Sequence, residues 1–128
     1  MILDTSAVIA VLLKQPGFEP VFKKLAAADS AGIGAATLAE TAIVLRARLG
    51  IDPRGMLGRF LQEFGITIIP FGEDHWREAA EAFGRYGKGL HAASLNFGDC
   101  MSYAVAKLAG QPLLCVGEDF TKTDLEVC

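Results

Sequence analysis

Soft metal ligands are scarce in this sequence: Cys100, Cys115 and Cys128 stand far apart, and the two histidines form no motif with them. With no C-x-x-C pair there is no zinc or redox pattern, and the odd count points to buried free thiols. A surplus of cations is also missing. Twelve Lys and Arg against fifteen Asp and Glu give a net charge of -3 and a pI near 5.3. That is no basic footprint of the kind a nucleic-acid coat protein carries. Gly87-Lys88-Gly89 lacks the spacing of a P-loop, so no nucleotide cradle is read there. The longest fully apolar run, Ala7 to Leu13, is far below the roughly 20 residues that span a bilayer. It follows an acid, Asp4, where a leader would be basic, so a cytoplasmic protein with no membrane association is expected.

Aliphatic residues are plentiful. Hydrophobic residues make up 52% of 128 positions and charged residues 21%, which excludes a disordered chain and suits one buried core. A single domain over residues 1–128 is expected. Met1 to Leu3 reads as a strand, and Asp4-Thr5-Ser6 supplies N-cap chemistry for an apolar helix from Ala7 to Leu13. Phe18, Val21, Phe22 and Leu25 recur at helical spacing and give a second helix to about Ala28. Ala31 to Ala35 can form a short strand. Thr37 then opens a third helix striped by Leu38, Ala42, Leu45 and Leu49 and stopped by Gly50. A fourth helix starts near Pro53 with Leu57, Phe60, Leu61 and Phe64 on one face. Ile66 to Ile69, β-branched throughout and ended by Pro70, suits a buried parallel strand.

Trp76, Ala79, Ala80 and Phe83 stripe a fifth helix, which places Trp76 in the core. The glycine-rich stretch Gly84 to Gly89 reads as a loop. Asn96 or a neighbour caps a sixth helix that runs through Leu108 and closes at Gly110. Pro112 to Val116 is the next strand, with a turn and a short helical piece beyond Gly117. Strands alternating with helices indicate an α/β fold: a central parallel β-sheet flanked by helices on both faces. Ligands in such sheets bind beyond the carboxyl ends of the strands.

Four acids fall at those ends, and each has a structural duty that accounts for it singly. Asp4 can cap a helix, and Glu40 completes a Thr-x-x-Glu capping box with Thr37. Asp99 sits in a first helical turn, where the helix dipole favours an acid. Asp119, next to Glu118, can be an ordinary turn acid. Yet all four lie at a strand's exit or in the helix start that follows, on one edge of the sheet. Carboxylates gathered there repel one another, and a divalent cation removes the repulsion. Ligands that are all oxygen favour Mg²⁺ or Mn²⁺ over zinc.

Met-Ile-Leu-Asp-Thr-Ser-Ala at residues 1 to 7, Glu40 early in a central helix, Leu-Asn-Phe-Gly-Asp-Cys at 95 to 100 and Pro-Leu-Leu-Cys-Val-Gly-Glu-Asp-Phe at 112 to 120 carry a resemblance. Together they resemble, end to end, a PIN-domain ribonuclease, specifically a VapC-type toxin of bacterial VapBC toxin–antitoxin pairs. The resemblance implies a PIN-like fold and a Mg²⁺-dependent endoribonuclease, whose RNA products would carry 5′-phosphate and 3′-hydroxyl ends. It also implies a homodimer and a cognate VapB-like antitoxin whose tail covers the active site. Asp4 and Asp99 are the expected metal ligands, with Glu40 and a fourth acid completing the set. Many relatives carry that fourth acid two residues before the Asp-Phe pair, where this chain has Gly117. Asp119 and Asp124 both stand as candidates, and Asp119 is favoured because it lies just beyond the strand.

Arg85, Lys88 and His91 form a basic, glycine-spaced segment before Asp99, which either holds RNA phosphates or is solvated. Arg46 and Arg48 are expected on the outer face of the third helix. Two other parallel-sheet chemistries fail on the residues. A haloacid-dehalogenase-type phosphatase needs Asp-x-Asp after the first strand, and position 6 is Ser. A receiver domain needs a central aspartate nucleophile and a lysine after a late strand, and no acid stands at the end of Ile66 to Ile69. The remaining alternative is a degenerate PIN module that binds RNA or protein without cutting.

Overall fold

Four short strands, β1 (Ile2–Leu3), β2 (Ala31–Gly34), β3 (Ile66–Ile69) and β4 (Leu113–Leu114), pair in parallel in the order β3-β2-β1-β4. The computed structural model describes residues 1–128. From β1 the chain first builds outward through β2 and β3, then crosses to place β4 on the other side. The direction therefore reverses between β1 and β4, and a crevice opens there beyond the carboxyl ends of the strands.

Six helices cover the sheet: α1 (Thr5–Leu12), α2 (Phe18–Ala27), α3 (Ala35–Leu49), α4 (Arg54–Glu63), α5 (Glu73–Tyr86) and α6 (Phe97–Ala109). Successive strand residues point to opposite faces. Ile2 and Leu113 join a core with Ala79, Ala82, Leu95 and Tyr103, on the α5 and α6 side. Leu3 and Leu114 join the other core, with Val8, Ile33, Leu45 and Phe60. Leu45 is fully buried, so Leu45→Ala would cost about 2–5 kcal/mol. Gly34 lets the two halves approach, since an added Cβ there would lie 2.6 Å from Val105 Cγ2 of α6. Cys100 and Cys115 are buried and Cys128 half-buried, all as free thiols. No helix is long and apolar enough to cross a membrane.

The structure departs from the sequence reading in four places. β3 is an edge strand with Thr67 and Ile68 exposed, because no fifth strand covers it. α5 continues through Gly84 to Tyr86, since Ala79, Ala82 and Tyr86 pack on α6 and that burial outweighs the roughly 1 kcal/mol cost of a helical glycine. Trp76 is 52% exposed. It lines an open apolar cleft with Phe71, Phe83, Phe97 and Met101 instead of filling the core. Finally, α3 begins at Ala35 with Gly34 as its N-cap. Thr37 is thus inside the helix and cannot cap it.

Candidate active site

Asp4 leaves β1 as the N-cap of α1 and is only 5% exposed. Its Oδ2 accepts the Ser6 N–H at 3.0 Å and the Ser6 hydroxyl at 2.6 Å, and its Oδ1 accepts the Ser102 hydroxyl at 2.5 Å. Three donors offset much of the cost of burying this carboxylate. Ser6 Oγ also accepts the Val116 N–H at 2.9 Å, which ties the exit of β4 to the exit of β1.

Glu40 lies in the second turn of α3. Since Thr37 is not a cap, the capping box expected of this pair does not form, and the Glu40 carboxylate turns to the site. Its Oε1 accepts the Thr5 hydroxyl at 2.6 Å. The carboxylate rests against Gly98, where a Cβ would overlap it. The first turn of α6 thus approaches an anion, as its dipole favours.

Asp99 does form a capping box: its Oδ2 accepts the Asn96 N–H at 3.0 Å, and its own N–H donates to Asn96 Oδ1 at 2.9 Å. Burial pushes the Asp99 carboxyl up to about 6, against the pull of the Asn96 N–H, and the charges of Asp4, Asp119 and Glu40 push it in the same direction as burial. All three of the other acids expected at the sheet edge therefore act on Asp99.

The two candidates for the fourth acid are placed differently. Asp119 opens a 3₁₀ turn, Asp119–Lys122, and is exposed with no hydrogen-bonded side-chain partner. Asp124 is held by the Lys107 ammonium at 2.7 Å and the Tyr103 hydroxyl at 2.6 Å, with Arg85 at 3.8 Å. Lys107 and then Tyr103 hold its carboxyl down to about 2.

Asp4, Glu40 and Asp99 line one depression of about 290 Å³, together with Gln15 and Arg48. Three residues at or behind the depression escaped the sequence reading: Arg48 and Gln15 in its lining, and Ser102 behind Asp4. Arg48 faces the depression although an outward position was expected, and it forms no ion pair. The signal was available, since Glu40, Val44 and Arg48 follow at i, i+4 and i+8 on one helix face. Gln15 and the buried Ser102 carried no such signal. Arg85, Lys88 and His91 are not part of the lining. The Arg85 guanidinium donates to the Tyr86 hydroxyl at 2.8 Å, and His91 Nδ1 accepts the Ala93 N–H at 3.0 Å. Lys88 is exposed.

No three acid, cysteine or histidine side chains close into a ready-made cage. Mg²⁺ asks for less, because it usually keeps several waters and takes one or two carboxylates plus substrate oxygens. A shallow set of oxygen donors whose mutual repulsion is felt at Asp99 fits such an ion.

Residues 1–126 match the family model of the PIN domain. Ribonuclease VapC36 of Mycobacterium tuberculosis is 49% identical over 127 residues, covering 98% of this chain and 91% of the relative. The crystal structure of Mycobacterium tuberculosis VapC20, described as a sarcin-ricin loop cleaving toxin, superposes with a TM-score of 0.75 at 19% identity over 97% of this chain and 95% of that one. A toxin–antitoxin complex from Klebsiella pneumoniae gives a TM-score of 0.72 at 18% identity, over 99% and 95% of the two chains. The acids at the β1–β4 crevice thus stand on a fold, and in a sequence, shared with ribonucleases of one kind, and the chain belongs to the PIN domain family, within its VapC group.

Proposed function

We propose that this chain is a metal-dependent endoribonuclease that serves as the toxin of a toxin–antitoxin pair. The observation that carries the reading is the depression lined by Asp4, Glu40 and Asp99 at the point where the sheet reverses direction. The near full-length relationship to VapC ribonucleases supports RNA as the substrate.

Asp4 and Asp99 would hold Mg²⁺, with Mn²⁺ as a substitute. When bound, such an ion supplies charge neutralisation at the scissile phosphate and a more acidic water. Glu40, braced by Thr5, would orient the attacking water. Asp119 adds negative charge at the rim. Arg48, free of ion pairs on the same helix face as Glu40, contacts a neighbouring phosphate. Lys88 offers a flanking phosphate contact, while Arg85 and His91 pack around Tyr86 and hold that segment in place.

Exposed apolar side chains support the proposed partners. Phe97 is 79% exposed, Ile43 69% and Trp76 52%, on three different helices. Surface of this kind marks contact sites, and we assign it to a second copy of the chain and to a VapB-like antitoxin.

Purified protein incubated with total RNA, with 5′-end mapping of the products, tests the reading. Discrete cuts bearing 5′-phosphates in Mg²⁺, and none in EDTA, are expected. Tight RNA binding without cuts in either condition would instead identify a binding module.

A further inference from the structure

A carboxylate presents about four lone-pair directions, and on Asp4 three are taken. Oδ2 receives two donors from Ser6, at 3.0 and 2.6 Å, while Oδ1 receives only the Ser102 hydroxyl, at 2.5 Å. The single direction left to a ligand therefore lies on Oδ1, and the Ser102 hydrogen bond decides where it points.

Ser102 is itself held. It has one hydroxyl hydrogen and gives it to Asp4, so in its 3.2 Å contact with Thr37 the threonine hydroxyl is the donor. Both residues are buried, at 0% and 1% exposure, which shields their hydroxyls from bulk solvent. The relay runs from Thr37 on α3 through Ser102 on α6 to Asp4 at the exit of β1. Ser102 also lies three residues after Asp99, on the same face of α6. One hydroxyl thus ties the Asp4 carboxylate to the helix that carries Asp99.

We infer that Ser102 is a positioning residue, which aims the free lone pair of Asp4 Oδ1 and sets Asp4 in register with Asp99 for one shared cation. The inference rests on the cation site proposed above. It assigns work to a helical serine that touches neither solvent nor substrate. Thr37 acts one step further back, through Ser102.

The test is a calorimetric Mg²⁺ titration of the full chain as wild type, Ser102→Ala and Thr37→Val, with the metal-free melting temperature measured for each. Loss of a group that orients a metal ligand weakens affinity by about 10- to 100-fold. Ser102→Ala should reach that range, and Thr37→Val should fall between it and the wild type. Each variant should bind the ion more weakly at a temperature where it is fully folded. Unchanged Mg²⁺ affinity in Ser102→Ala, whether or not its melting temperature falls, would reduce Ser102 to packing and overturn the inference. Should Ser102→Ala not fold, Thr37→Val decides alone: weaker binding supports the relay, and wild-type binding overturns it. A wild-type chain that binds no Mg²⁺ would overturn the cation site itself, a result distinct from either.

Discussion

The Tyr103 hydroxyl donates to Asp124 Oδ1 at 2.6 Å, tying the C-terminal segment to α6 one helical turn beyond Asp99. With Lys107 on its other oxygen, Asp124 is occupied as a brace. Asp119 is the acid whose charge reaches Asp99.

The two acids should therefore separate cleanly. Asp119→Asn should lower single-turnover cleavage by about 10- to 100-fold and leave the melting temperature unchanged. Asp124→Asn should lower the melting temperature and leave cleavage near the wild-type rate. The reverse pattern would make Asp124 the fourth acid.

Asp99 gives a pH dependence of definite sign. Its carboxyl is raised from 3.8 to about 6 in the folded chain, chiefly by burial. The folded state then binds this proton more tightly than the unfolded state, so the metal-free protein loses stability as pH rises through that interval. Asp99→Asn removes the penalty and should stabilise the metal-free chain at pH 7 by about 1 kcal/mol once solvent screening is allowed for. The same variant should lose the stabilisation that Mg²⁺ confers on the wild type. Thermal melts at pH 5 and 7, in EDTA and in Mg²⁺, check both. A less stable Asp99→Asn in EDTA at pH 7 would contradict this account of the site.

Gly98 makes room for Glu40. Alanine is the better helix former by about 1 kcal/mol, yet its Cβ would overlap the Glu40 carboxylate. Gly98→Ala should keep its circular dichroism spectrum while cleavage falls at least about 100-fold, as misplaced catalytic groups do. Wild-type cleavage by this variant would show that Glu40 is not held where the structure places it.

Much of this was legible in the sequence. Strand exits, caps and hydrophobic stripes are local signals, and they located Asp4, Asp99 and the parallel order of elements. Thr37 misled because Thr-x-x-Glu is a valid cap pattern, yet the backbone already turns helical at Ala35, with Gly34 as the N-cap. Trp76 misled because a helical stripe does not reveal where the partner helix ends. Ser102 was invisible because its meaning lies in a contact across 98 residues.

Arg48 should behave as a contact to phosphate. Arg48→Ala should raise KM for RNA with kcat little changed, since it removes binding shared by ground and transition states. It should also reduce the slope of log affinity against log salt by about 0.7, the share of one single-strand phosphate contact. An unchanged slope would leave Arg48 as an ordinary surface cation.

The central claim is that these carboxylates cut RNA through one bound cation. Single-turnover cleavage of an RNA substrate across a Mg²⁺ titration, for wild type and Asp4→Asn, tests it most directly. The account predicts a wild-type rate that saturates with Mg²⁺ and vanishes in EDTA, and an Asp4→Asn rate that stays at background at every concentration. Equal cleavage by the two proteins, or full wild-type activity in EDTA, would contradict it.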